Sequence, residues 1–143
     1  MVLTAKDILE KDFLSLPAAA TAWEAAKLMK SQRHGFVVVV DEAGKPVGIV
    51  TEWDFLSKLT AEGEDPRVMP LRELMSREIV WVKPDTDMDA IAQIMSEKGV
   101  RRLLVMQDGK VIGVVTAKSV LARLRDYIDR ISSQIARLQP PRI

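Results

Sequence analysis

Few residues in this chain have types and spacings that could do chemistry. Thr51-Glu-Trp-Asp54 sets a hydroxyl three positions before a carboxylate, directly after an apolar run. A threonine and an acid at that spacing form a capping box, in which each side chain satisfies an unpaired N–H at a helix start. If that helix start faces a cleft, the carboxylate is also a charged hydrogen-bond acceptor for a ligand. Thr116-Ala-Lys-Ser119 repeats the spacing with a serine in place of the acid. Arg101-Arg102 stands at the head of another apolar run. A guanidinium fork there matches phosphate oxygens, and the plainer reading is two solvated cations beside a strand. Alternation sends the two side chains to opposite faces, and Arg102 is the one expected to face inward. His34 is the single histidine and cysteine is absent. Disulfides, thiolate chemistry and cysteine-ligated metals are therefore excluded, and no nucleophile–base pair is visible. His34 reads as a turn residue, with contact to a phosphate as the alternative.

Composition narrows the function classes further. The 143 residues are 48% hydrophobic and 29% charged, which suits one globular domain or two small ones packed together. Formal net charge is +1, so the chain as a whole has no electrostatic reason to coat nucleic acid or an anionic membrane. The longest apolar run, Phe36–Val40, is far short of a membrane span. The first residues lack a basic region leading into an apolar one, so a cytoplasmic protein is expected.

The elements that must position these residues are written twice. Thr21-Ala-Trp-Glu-Ala-Ala-Lys-Leu-Met29 lies over the stretch Thr86 to Met95, and Gly48-Ile-Val-Thr51 over Gly113-Val-Val-Thr116. The expected division is a first unit at 1–62, a linker at 63–70, a second unit at 71–125 and a helical tail at 126–143. In each unit a short strand (Phe13–Leu16, Ile79–Val82) precedes a helix with apolar residues at i, i+3, i+4 and i+7. Two strands follow, Phe36–Val40 with Val47–Val50 and Leu103–Met106 with Val111–Val115, and a second helix closes the unit. Asp108-Gly109 is a strong hairpin signal for the second pair. The order β-α-β-β-α twice over gives an α/β (α+β) class. A unit of about 60 residues buries only about 60% of its unfolded surface, so the two should share a core. Packing sheet against sheet with pseudo-two-fold symmetry would leave two related clefts at their boundary, where small ligands are preferentially bound.

At this point the residues resemble a known family. Thr-x-x-Glu-Ala-x-x-x-Met, an apolar strand, Asp-x-x-Gly-Lys and then Gly48-Ile-Val-Thr-Glu-Trp-Asp54 resemble the CBS domain, named after cystathionine β-synthase. Two in tandem resemble a stand-alone Bateman module. The sequence departs from the pattern in lacking a proline in the middle strand and in carrying Ser119 where an acid is common. The resemblance implies a regulatory module that is not an enzyme and requires no cofactor. It implies an adenosine-containing ligand (AMP, ADP, ATP, S-adenosylmethionine or NAD, with magnesium if ATP) and an effector protein whose identity is open. One site would use Phe36, Ile49, Thr51 and Asp54 with Thr86, Val100, Arg101 and Arg102 from the opposing unit, the acid holding ribose hydroxyls. A second, weaker site would use Val114, Thr116 and Ser119 with Thr21, His34 and Gly35. A charge-assisted hydrogen bond is worth about 1.5–3 kcal/mol, so the first site is expected to bind about tenfold to a hundredfold more tightly. In the competing reading Asp54 is only a cap and the chain is a ligand-independent dimeric scaffold.

The tail carries a separate signal. Leu121, Leu124, Ile128, Ile131, Ile135 and Leu138 are spaced 3, 4, 3, 4, 3, a heptad seam closed by Pro140-Pro141. This predicts a homodimer aided by the last helix, the alternative being a helix packed on its own unit. Lys118, Arg123, Arg125, Arg130, Arg137 and Arg142 outnumber Asp126 and Asp129 locally. A solvated face explains them more simply than nucleic acid. Trp23, Trp53 and Trp81 are expected to pack, the alternative being stacking on adenine.

Overall fold

The computed structural model describes residues 3–138; Pro140, Pro141 and Arg142 of the expected helix stop and basic tail lie outside that range. In chain order the elements are α1 (Ala5–Ile8), β1 (Leu14–Pro17), α2 (Ala22–Gln32), β2 (Phe36–Val40), β3 (Pro46–Thr51) and α3 (Glu52–Asp54), which continues as a π-helical stretch, Phe55–Thr60. Then come α4 (Leu71–Leu74), β4 (Trp81–Val82), α5 (Met88–Lys98), β5 (Arg102–Gln107), β6 (Lys110–Thr116) and the 20-residue α6 (Ala117–Ala136). The strands form two three-stranded sheets, β1-β2-β3 and β4-β5-β6. Each begins with a parallel pair and ends with an antiparallel hairpin. The hairpin strands fall within a residue or so of the spans expected from alternation. β1 is shifted one residue onto Pro17, and β4 keeps only Trp81–Val82 of the expected Ile79–Val82.

Three apolar clusters hold the molecule together. One lies in the first unit around Ala25, Val37, Val39 and Val50, and a second around Ile91, Leu103, Val105 and Val115. The third is the seam: Phe36 and Val38 from one sheet pack on Leu104 and Val114 of the other. Period-two alternation explains it, because Val37 and Val39 face their own unit while Phe36 and Val38 face the partner sheet. The two units thus pack with pseudo-two-fold symmetry, sheet against sheet.

The short helices cross between the units. Ala5 and Ile8 of α1 are buried in the second unit's cluster, and Leu71 and Leu74 of α4 in the first unit's. Backbone bonds fix the exchange: Ala5 N–H to Thr86 C=O (2.8 Å) and Lys6 N–H to Pro84 C=O (2.9 Å) at one end, Leu71 N–H to Ala20 C=O (2.8 Å) and Arg72 N–H to Ala18 C=O (3.1 Å) at the other. The segments that follow pair with the free edges of β3 and β6, Ser76 opposite Ile49 and Glu10 opposite Val114. Gly48 and Gly113 admit them. A β-carbon at Gly48 would meet the Ser76 carbonyl at 2.9 Å, and one at Gly113 the Glu10 carbonyl at 3.0 Å. The glycine of each Gly-x-Val-Thr string is therefore a close-approach residue.

Among the described residues no helix is long and apolar enough to cross a membrane. No residue of α6 is buried, and its apolar stripe is open: Leu121 is 65% exposed, Ile128 52% and Ile135 60%.

Candidate functional site

Each unit ends its third strand in a capping box, and both boxes sit at the same end of the sheets. Thr51 pairs with Phe36 across the first hairpin, and Thr116 with Arg102 across the second. In the first box one carboxylate oxygen of Asp54 accepts from the Thr51 N–H (2.8 Å) and hydroxyl (3.2 Å). Its other oxygen faces the Lys58 ammonium at 3.0 Å. Asp54 is 6% exposed, the one charged residue in the described core. Three of about four acceptor positions on that carboxylate are thus filled. Lys58 also donates to the Leu74 carbonyl at the end of the exchanged α4 (3.1 Å). In the second box the Ser119 hydroxyl lies 3.0 Å from the Thr116 N–H and 2.8 Å from its carbonyl. Four residues on, Arg123 donates to the Asp7 carbonyl in the exchanged α1.

Between the boxes the seam brings Phe36 and Arg102 together, the guanidinium lying 4.9 Å from the ring centroid, a cation–π distance. Gly35 leaves a gap beside them into which the Glu52 carboxylate and the Arg102 guanidinium both reach. Arg101 is exposed, and its carbonyl accepts from the Ala117 N–H (2.8 Å). Ile49 borders the seam and Val114 is buried in it. Val100 packs on the second unit's cluster. His34 lies 3.5 Å from the Asp12 carboxylate.

Two expected members stand apart from this group. β4 runs parallel to β5, so the loop after it, with Thr86, lies at the hairpin end, away from Arg102 and Thr116. The Thr86 hydroxyl accepts from the Lys83 N–H (3.2 Å). Thr21 lies at the same end of the first sheet, where it caps α2 by accepting from the Glu24 N–H (3.2 Å); Asp87 fills that place before α5, and Ala20 is the counterpart of Thr86. Residues absent from the expected site are Lys58 and Arg123, Glu52, and the paired segments at Ser76 and Glu10. The signal for the first pair was available: a cation four residues after each box. Among the described residues no group of three or more His, Cys, Asp or Glu side chains could hold a metal ion.

Two stretches of the chain, residues 5–61 and 71–126, match the CBS domain family. The chain belongs to that family. Among curated relatives, an uncharacterized protein of Methanopyrus kandleri is 34% identical over 116 residues, covering 80% of this chain and 59% of its own. The L-aspartate semialdehyde sulfurtransferase of Methanocaldococcus jannaschii is 31% identical over 80% of this chain but 22% of its own length. This CBS pair thus spans about three-fifths of the first and about a fifth of the second. YhcV of Bacillus subtilis, a CBS domain-containing protein, is 31% identical, with 77% of each covered. Solved CBS structures share the fold. The CBS pair of protein MJ0100, in complex with 5′-methylthioadenosine and S-adenosyl-L-methionine, is 30% identical over 88% of this chain and 98% of its own, with a TM-score of 0.76. A hexameric CBS-CP12 protein from bloom-forming cyanobacteria is 28% identical over 100% of this chain and 78% of its own, at 0.79.

Proposed function

We propose that this chain is a regulatory module that takes an adenosine-containing ligand at the seam between its CBS repeats and passes the signal to another protein. The observation that carries the reading is the MJ0100 pair, crystallised with two adenosyl compounds and alike over nearly the whole module. The local chemistry supports it. Lys58 is partly exposed, and a turn of its ammonium from Asp54 toward solvent would leave one carboxylate oxygen open to sugar hydroxyls. Thr51 adds a hydroxyl, Phe36 a ring and Arg102 a cation for a phosphate or carboxylate. Magnesium enters only if the ligand is a nucleoside triphosphate. The exposed stripe on α6 suits a second copy of the chain, so the module is read as a homodimer.

The test is calorimetry and thermal shift with S-adenosylmethionine, 5′-methylthioadenosine, AMP, ATP and NAD. Binding by the native state alone raises stability by about 2.7 kcal/mol at a hundred times Kd. A saturable shift that Asp54→Ala weakens supports the proposal; silence across all five on folded protein removes it. One observation favours a second reading, a ligand-independent scaffold: Asp54 is buried with three partners already. That reading expects Asp54→Ala to lower stability with no ligand response in either protein. Ile128→Glu with Ile135→Glu is expected to halve the mass in sedimentation while leaving the fold intact, and an unchanged mass would free α6 of the dimer role.

A further inference from the structure

A cavity of about 720 Å³ opens at the other end of the seam. It lies by the tip of the β5–β6 hairpin, where Gln107 pairs with Lys110, five residues along from the Arg102–Thr116 pair. Its size falls among small-molecule sites, about 300–1,000 Å³. Four chain segments build it. Trp81 and Lys83 come from β4 and the loop after it, Met106 from β5, Lys6 from the exchanged α1 and Lys45 from the first unit's hairpin. Asp85 and Asp108 also line it, so the cations outnumber the acids by one. Among the described residues no carboxylate lies within 4.0 Å of the Lys6, Lys45 or Lys83 ammonium groups.

The walls are held by the backbone. Lys6 N–H bonds the Pro84 carbonyl (2.9 Å), Lys83 N–H the Thr86 hydroxyl (3.2 Å) and Lys45 N–H the Asp41 carboxylate (2.8 Å). A cavity whose walls are already ordered charges a ligand less conformational entropy.

The repeat supplies an internal control. Leu16 pairs with Val39 as Val82 pairs with Val105, so Ser15, Pro17 and Ala19 stand where the second unit has Trp81, Lys83 and Asp85. Arg72 corresponds to Lys6, each donating its N–H to the matching loop carbonyl. The same framework therefore folds without the ring or the second cation. Trp81 is also 51% exposed, so packing does not account for it.

We propose that this cavity is a further ligand site, apart from the two expected at the capping boxes, for a small molecule carrying one flat apolar ring and one anionic group, phosphate or carboxylate. The indole and the Met106 thioether suit the ring. The lysines suit the anion as point charges without the bidentate geometry of arginine, which is why either anion fits. Because Lys45 belongs to one unit and Trp81 to the other, the occupant bridges the units. This site does not depend on the adenosyl reading.

The test is an NMR titration with phenyl phosphate, benzoate, benzyl alcohol and inorganic phosphate as probes. The three indole N–H signals are assigned with Trp23→Phe, Trp53→Phe and Trp81→Phe. The Trp81 signal is expected to move saturably with phenyl phosphate, benzoate or both, which also tells phosphate from carboxylate. Lys6→Gln with Lys83→Gln, both at exposed positions, is expected to weaken that binding about tenfold, and the two probes lacking either ring or charge to bind at least about tenfold more weakly. Asp54→Ala is expected to leave it unchanged. The proposal is overturned by no saturable movement up to about 10 mM, by all three indoles moving together, by unchanged affinity in the double lysine variant, or by loss in Asp54→Ala.

Discussion

The two capping boxes do the same structural work with different chemistry. Each starts a helix, and each is followed four residues later by a cation that reaches a carbonyl of the exchanged helix: Lys58 to Leu74, Arg123 to Asp7. Ser119 performs the capping in the second box without a charge. The scaffold therefore does not require a carboxylate at this position, and the first box keeps one under cover, paired with Lys58. The bland explanation for Asp54 is thereby weakened by its own repeat: a neutral hydroxyl suffices next door.

The largest effect is expected where the two units are alike. Ile8→Ala and Leu74→Ala each empty a buried anchor of an exchanged helix, at a cost of about 2–5 kcal/mol. Urea unfolding of both variants should remain a single transition, because each core contains chain from the other half. Two separate transitions would break the equivalence. Next is Asp54→Ser, which rewrites the first box as a copy of the second. It should fold, losing about 0.5–2 kcal/mol at most, and should bind an adenosyl ligand about tenfold to a hundredfold more weakly. Calorimetry showing equal affinity would return Asp54 to a purely capping role. The smallest effect separates the exchanged helices themselves. The Thr4 N–H (2.8 Å) and hydroxyl (3.0 Å) hold the Asp7 carboxyl below its ordinary value of 3.8. A lowered folded-state value adds stability that is complete above the unfolded value and lost as pH falls through the lower folded one. Amide exchange should show α1 loosening as pH falls below 3.8, whereas α4, whose N-cap is Pro70 with no side-chain cap, should not follow that titration.

The duplicated strands and long helices were legible because periodicity needs several turns or pleats to declare itself. Val37 to Val40 and Leu103 to Met106 alternate cleanly between the unit core and the seam. The exchange of α1 and α4 was not legible, since a four-residue helix shows only one i, i+3 pair. Two faint signals were present: Thr4-x-x-Asp7 has the spacing of Thr51-x-x-Asp54, and Ala5/Ile8 match Leu71/Leu74. Placing Thr86 with Thr51 failed to anticipate strand direction. A residue after a parallel strand emerges at the far end of the sheet from the one that precedes its neighbour, and only the register of β4 on β5 makes that visible. The Phe36–Arg102 contact was half visible, because alternation gave Arg102 its inward face without naming the ring it would cover.

The crossing of α1 and α4 gives the molecule the logic of two clasped hands. A nick anywhere between residues 62 and 69 severs the polypeptide without parting it, since each fragment keeps hold of a helix the other needs. Such a cut protein would run as two bands once denatured and as one particle before.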